Sequence, residues 1–400
     1  MPLHRILFVE DAPAVGGSAI CLGELARGLD RSRFEPFVLF AYDLTVRAAF
    51  ASANIPSATE AAIRGVPEPS PPEESANAIP AFKRTSIYRL LWSLKRYALS
   101  ERARARWLAD WIAREGFALL HANNSMTANL AAIVAGRWAG VPVVSHQRGY
   151  SWTTASQRFA VRSVDRFLCV SQSIADHYQA QGIRRDRITT VYDGIDVVAL
   201  RPQRKPTRER ALIVWAGRFV SGKGLSVLIA AAERILARNP NAEFILAGEG
   251  PELPPLKERV ERSAPMKEHV HLAGFRTDVR DLIASADIFV NSSIEPEPFS
   301  HSALEAMALG VPVVVSACGG FAEMVEHDVS GLLFERDNDE ALAGALTKLI
   351  GDVDLRSRLG IAGRRRAERI FSLDNHVRTI EAIYDEVIER TRSTDVPRDH

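Results

Sequence analysis

The sequence predicts an α/β protein of two doubly wound, Rossmann-like domains, and three observations carry that prediction. Short apolar runs without alternation, Arg5 to Val9 and Val141 to Ser145 among them, recur between stretches whose apolar residues have helical spacing. Strands that alternate with helices in this way make a parallel sheet, buried on both faces. The pattern then breaks and restarts: the turn VYDGID, running to Asp196, leads through Arg201-Pro202 into the charged run Gln203 to Arg210, and Ala211 to Trp215 opens a new strand. Finally, 400 residues exceed what a single core comfortably holds. The expected domains are 1–195 and 196–370, followed by a last helix and a polar, frayed tail over 371–400.

In chain order, Arg5 to Val9 is a buried strand, and after a loop Ser18 begins a helix with Leu22, Leu25, Ala26 and Leu29 on one face. Gly16 and Gly17 sit in that loop, where backbone can approach a ligand closely or simply turn. There is neither a full G-x-G-x-x-G nor a Walker lysine. Residues 56–80 carry six prolines with Ser and Glu, which predicts loop rather than an element. Then comes a basic amphipathic stretch with nine Lys or Arg from Lys83 to Arg114, whose apolar face is Ile87, Leu90, Leu91, Leu94 and Ala98. Such a helix can lie on an anionic bilayer or pack on its own domain. Phe117 to Leu120, Val141 to Ser145, Phe167 to Val170 and Ile188 to Val191 are further strands. Polar residues at their ends, His121, Asn123, His146 and Arg148, fall on the side where open α/β sheets bind ligands. His146 and Arg148 stand two apart in extended chain, so either could reach a site there.

In the second half, Gly217, Arg218 and Lys223 belong to a glycine-containing loop that leads into a helix from Leu225. Two cations there suit a diphosphate, since Arg can donate to two oxygens at once and Lys adds a mobile charge. Phe244 to Ala247, His269 to Leu272 and Asp287 to Val290 are strands, and the last runs into EPEPFSHSALEAMALGVPVV, Glu295 to Val314. Pro296 and Pro298 hold Glu297 on a loop. Beyond Ser300, Ala303, Leu304, Met307 and Ala308 recur at helical spacing, Gly310 ends the run, and Val311 to Val315 is a strand. Free backbone N–H groups in the helix's first turn, near Ser300, His301 and Ser302, make a ready anion site. Glu297 and Glu305 flank it and suit hydroxyls. Helices follow at Asn338 to Ile350, Leu355 to Arg369 and Leu373 to Arg390.

Glu297 and Glu305 with seven residues between them, the GR and KG pairs at Gly217-Arg218 and Lys223-Gly224, VYDGID, and Gly319, Gly320 and Glu323 after the strand together resemble the retaining glycosyltransferases of the GT-B fold, family 4 type. That resemblance implies two Rossmann-like domains facing across a cleft, with the acceptor on the first and a nucleotide diphosphate sugar on the second. It implies that Glu305 holds ribose hydroxyls, that Glu297 contacts the transferred sugar, and that Arg218, Lys223, Gly16, Gly17 and the amides from Phe299 to Ser302 meet the diphosphate. Ser300 stands where the family usually has Gly, and Asp193 where it usually has Asn. The family's acceptor-side His falls nearer Arg148, with His146 the histidine at hand. No cofactor and no essential metal are implied.

The implied activity is transfer of a sugar to a hydroxyl acceptor in glycan, polysaccharide or glycolipid biosynthesis. A nucleotide-sugar epimerase or hydrolase of the same fold and a non-catalytic scaffold subunit are the alternatives. A formal net charge of +1 gives no reason to expect nucleic acid. Cys21, Cys169 and Cys318 lie far apart without metal-ligand spacing, which predicts reduced thiols in a cytoplasmic compartment. The apolar run at the start is too short for a signal peptide, and no stretch of about 18 apolar residues occurs. A protein neither exported by that route nor membrane-spanning is expected, with contact at an anionic membrane face through the basic stretch.

Overall fold

The computed structural model describes residues 2–11, 17–43, 47–69, 101–126, 128–151, 160–202, 209–238 and 241–394. Contacts divide the chain into two units, Met1–Tyr192 with His376–His400, and Asp193–Asn375. In the first, strands β1 (His4–Glu10), β2 (Phe34–Phe40), β3 (Ser57–Thr59), β4 (Leu119–Ala122), β5 (Val143–Gln147), β6 (Arg166–Cys169) and β7 (Ile188–Thr190) form a sheet in the order β3-β2-β1-β4-β5-β6-β7. In the second, β8 (Ala211–Ala216), β9 (Ala242–Ala247), β10 (Val270–Gly274), β11 (Ile288–Asn291), β12 (Val313–Ser316) and β13 (Leu332–Phe334) run β10-β9-β8-β11-β12-β13. All pairings are parallel. Each sheet therefore reverses direction once, between β1 and β4 and between β8 and β11, and ligands of open α/β sheets bind outside the strand ends at such a reversal.

The apolar runs form strands because they are covered on both faces. Ile6, Leu7, Phe8 and Val9 are all fully buried, as are Ile213, Val214 and Trp215 in β8 and Val313, Val314 and Val315 in β12. Around the second sheet, Phe219, Leu228, Ile229, Leu246, Val290 and Leu346 close one core. The last helix, Leu373–Thr394, packs from His376 onward on the first unit. Tyr384 is fully buried there, edge-on to Phe34 and with its hydroxyl 2.6 Å from His121 Nδ1. Arg33 bonds Glu381 at 3.3 Å and also bonds Asp385.

One expectation changes. Residues 56–80 are not loop throughout, since β3 adds to β2 and the helix Glu60–Arg64 follows, with Thr59 accepting from the Ala62 amide and Gly65 left-handed at φ 65°. The prolines bracket this element instead of interrupting it. In the basic stretch, the face of Ile87, Leu90, Leu91, Leu94 and Ala98 lies outside the described residues. The helix Arg102–Glu115 that follows buries Ala105, Leu108, Trp111 and Ile112, and Arg104 is tied to Glu60 and, at 2.8 Å, to Asp11. This part of the stretch faces its own domain. No described helix is long and apolar enough to cross a membrane.

Candidate active site

In the second unit, four loops at the carboxyl ends of β8, β9, β11 and β12 nest against one another. Glycine makes this possible at specific points. Gly224 is left-handed at φ 61°, and a Cβ there would stand 2.0 Å from the Ser292 carbonyl oxygen. A Cβ on Gly320 would meet the Pro298 carbonyl oxygen at 2.3 Å, and the Gly320 amide donates to the Glu297 carbonyl at 2.7 Å. The amides of Ile294 and Glu295 both donate to the Gly222 carbonyl. The loop that carries Lys223 is thereby pinned to the loop that carries Glu297.

Their side chains meet. Lys223 Nζ lies 2.5 Å from Glu297 Oε2, and the Ser293 hydroxyl lies 3.0 Å from the same oxygen and 2.8 Å from Asn291 Oδ1. Glu297 is buried, and its charge is met by a half-buried ammonium. The helix His301–Ala308 starts next to this pair. Ser300 is its N-cap and takes the Ala303 amide, while the Ser302 hydroxyl donates to the Ala216 carbonyl at 3.2 Å. First-turn amides have no acceptors within the helix, so this end presents positive potential beside the Lys223 loop. Glu305, one turn further on, is 8% exposed, and its Oε1 receives Arg280 Nε at 2.7 Å. Phe299 is buried edge-on to Phe371 at 5.5 Å and does not present its ring outward. Gly217 and Arg218 are exposed at the end of β8.

The second unit thus brings together Lys223, Glu297, Ser300, His301, Ser302 and Glu305, with Gly217 and Arg218 on the adjoining loop. Arg280, Ser293 and Asn291 were not among the sequence candidates. Arg280 is 25 residues from Glu305 on another helix, and no spacing signals it; SADIFVNSS was read only as a strand. Both D-x-D spellings in the chain serve helix starts. Asp352 of Asp352-Val353-Asp354 caps the helix Val353–Ile370, and in Asp337-Asn338-Asp339 the central Asn338 caps Asp339–Gly351.

In the first unit, Gly16 lies outside the described residues, and Gly17 opens the helix Gly17–Gly28 with nothing among the described residues within 4 Å of where a Cβ would stand. The two residues at the end of β5 differ. His146 is fully buried, its ring 5.4 Å from that of His121 and 6.1 Å from that of His376. Burial, followed by the Arg148 charge, holds both His121 and His146 well below the ordinary imidazole range, so both are neutral. Arg148 is half-buried, with Nε donating to Asn123 Oδ1 at 2.9 Å. All three cysteines are buried without forming disulfides.

Two parallel sheets, each reversing order once and each carrying its polar side chains at the strand ends, define the class as a protein of two Rossmann-like domains. The crystal structure of Anabaena HepE in complex with UDP superposes with a TM-score of 0.77 at 20% identity, covering 96% of this chain and all of that one, which identifies the architecture as GT-B. The model for glycosyl transferases group 1 matches residues 198–366, and that for glycosyltransferase family 4 matches residues 15–198. Together these span both units, and the chain belongs to the group 1 glycosyltransferases. Among curated relatives, the α-maltose-1-phosphate synthase of Mycolicibacterium smegmatis is 29% identical over 56% of this chain and 64% of its own length. The N-acetyl-α-D-glucosaminyl L-malate synthase of Bacillus anthracis is 24% identical over 74% of this chain and 82% of its own. Against the first of these, the match spans less than two thirds of the relative.

Proposed function

We propose that this chain transfers a sugar from a nucleotide diphosphate sugar to a hydroxyl acceptor, with retention at the anomeric carbon, in the biosynthesis of a glycan, polysaccharide or glycolipid. The observation that carries this reading is the cluster at the β8/β11 reversal: a lysine, a helix N-terminus and two buried carboxylates within one set of nested loops. In this reading Glu305 accepts the ribose hydroxyls, and Arg280 fixes its other side. Lys223, Arg218 and the first turn of His301–Ala308 receive the diphosphate, and Glu297 takes a hydroxyl of the sugar. The bond from the anomeric carbon to the phosphate oxygen breaks, and the acceptor oxygen bonds that carbon from the same face. The acceptor's proton passes to the departing phosphate. Cations fixed in place before the reaction stabilise the charge that grows on the leaving group, and this chain's own residues supply them, so no essential metal is proposed.

The HepE structure holds UDP, which makes uridine diphosphate the first nucleotide to try. The two relatives' names describe products bearing a phosphate in one case and malate in the other, which supports an acceptor with an anionic group, bound on the first unit. Contact with an anionic membrane through residues 83–114 belongs to the same reading, with Arg104 excluded by its burial against Glu60 and Asp11. The test is calorimetric titration with nucleoside diphosphates, followed by nucleotide release from the matching sugar donors with and without EDTA. Binding of a nucleoside diphosphate and acceptor-dependent release unaffected by EDTA are expected. Release only after a divalent cation is added would overturn the metal-free mechanism, and conversion of donor without any acceptor would favour an epimerase or hydrolase.

A further inference from the structure

The end of β5 offers two side chains, and the structure gives them different surroundings. His146 has no exposure, and its Nε2 has no hydrogen-bond partner among the described residues. It is a neutral ring inside the first unit, enclosed by His121, His376 and Arg148. Arg148 lies one residue beyond the strand and is half-buried.

A relay of three side chains aims that guanidinium. Arg148 Nε donates to Asn123 Oδ1 at 2.9 Å; Asn123 Nδ2 donates to Glu10 Oε2 at 2.5 Å and to the Ser18 carbonyl at 3.2 Å. With a cation on its oxygen and a carboxylate on its nitrogen, the Asn123 amide has one workable orientation. Arg148 Nη2 stands 3.5 Å from His146 Nδ1, and its backbone amide is held by the Asn124 carbonyl at 2.8 Å. Fully buried Glu10 thus holds the far end of the Asn123 amide whose oxygen receives Arg148. The link through Ser18 ties the assembly to the start of the helix Gly17–Gly28.

A guanidinium stays charged throughout the working pH range and offers donors only, so it cannot take a proton from an acceptor hydroxyl. Its planar fork matches carboxylate and phosphate oxygens. We propose that Arg148 is the specificity-determining residue on the acceptor side, holding a phosphate or carboxylate group of the acceptor, and that His146 and Asn123 are positioning residues behind it. This rests on the reading that the first unit binds the acceptor of a glycosyl transfer.

The experiment titrates the full-length protein, saturated with uridine diphosphate, with glucose 1-phosphate and L-malate and with their neutral counterparts methyl glucoside and glycerol. The phosphate and carboxylate arms separate the two forms of anion. At least one anion is expected to bind about tenfold or more tightly than its neutral counterpart. Arg148→Gln should abolish that preference, and Arg148→Lys, which keeps the charge but loses the fork, should restore part of it. Asn123→Leu, which cuts the relay, should weaken anion binding while leaving neutral-sugar binding in place, a selectivity that a merely structural role would not produce. Uridine diphosphate affinity, set in the second unit, should be the same in all variants. No preference for either anion in wild type, or a preference that survives Arg148→Gln, would overturn the assignment. Failure of the wild type to bind uridine diphosphate would instead count against the glycosyltransferase reading itself.

Discussion

At the scale of single residues, the second unit holds its reactive groups in pairs that a substrate must share or displace. Lys223 is bonded to Glu297 at 2.5 Å, so a diphosphate that recruits the ammonium takes it partly from the carboxylate. On the proposed role of Glu297 at the sugar, Glu297→Ala should leave nucleoside diphosphate affinity unchanged or raise it, while turnover should fall by about a hundredfold. Calorimetry with uridine diphosphate beside a nucleotide-release assay separates the two effects, and a parallel loss of both would remove Glu297 from the sugar. Glu305 behaves in the opposite way. Its carboxylate is anchored by Arg280 at 2.7 Å, and each charge-assisted bond to a ribose hydroxyl is worth roughly 1.5–3 kcal/mol. Glu305→Ala should thus weaken nucleoside diphosphate binding tenfold or more, and unchanged affinity would exclude it as the ribose group.

At the scale of elements, the site depends on how closely its loops and helices approach. Gly360, in the helix Val353–Ile370, stands where a Cβ would meet the Gly310 carbonyl oxygen at 2.2 Å, directly behind the helix that carries Glu305. Gly360→Ala should lower stability by about 1–3 kcal/mol through overpacking and weaken nucleotide binding with it; a chemical-denaturation midpoint equal to wild type would refute the close contact. The sequence announces the elements whose signals are local. Arg5 to Val9 and Ala211 to Trp215 appear as strands within one or two residues, since uninterrupted apolar runs bounded by turns need no tertiary context. It conceals β2, FEPFVLF, because Pro36 argues against an inner strand. In the structure the Val38 amide reaches Pro56 and β3 begins only opposite Val38, so the N–H that Pro36 lacks would face a stretch where β3 has not started. The site follows the same rule. Glu297, Glu305 and the capped helix are legible because they share one stretch, whereas Arg280 and the Glu10–Asn123–Arg148 relay are assembled from strands and helices distant in sequence.

At the scale of the whole molecule, the first unit carries an electrostatic cost that appears only on acidification. His121 and His146 are fully buried, and burial, then the charge of Arg148, holds both well below the ordinary imidazole value of 6.5. Around them stand Arg148 from the end of β5, Tyr384 and His376 from the last helix, and Glu10 and Asn123 one step further along the relay. In the unfolded chain these imidazoles protonate near 6.5, while in the folded chain they stay neutral to much lower pH. The unfolded state therefore binds more protons throughout that window. Stability is full above about pH 6.5 and declines below it, by up to about 1.4 kcal/mol per pH unit for each histidine. Glu60, raised by burial above its ordinary 4.5, acts in the opposite sense from that value upward, so the share of His146 is read as the difference between wild type and a His146 variant over a scan from pH 7.5 to 5.5. The thermal unfolding midpoint of the full chain should fall across that scan. His146→Gln, which fills most of the ring's place without titrating, should start lower at pH 7.5 and show a shallower fall. Equal slopes for wild type and variant would mean that His146 is protonated in the folded state and contacts solvent or a charge partner, which would also undo its part in orienting Arg148.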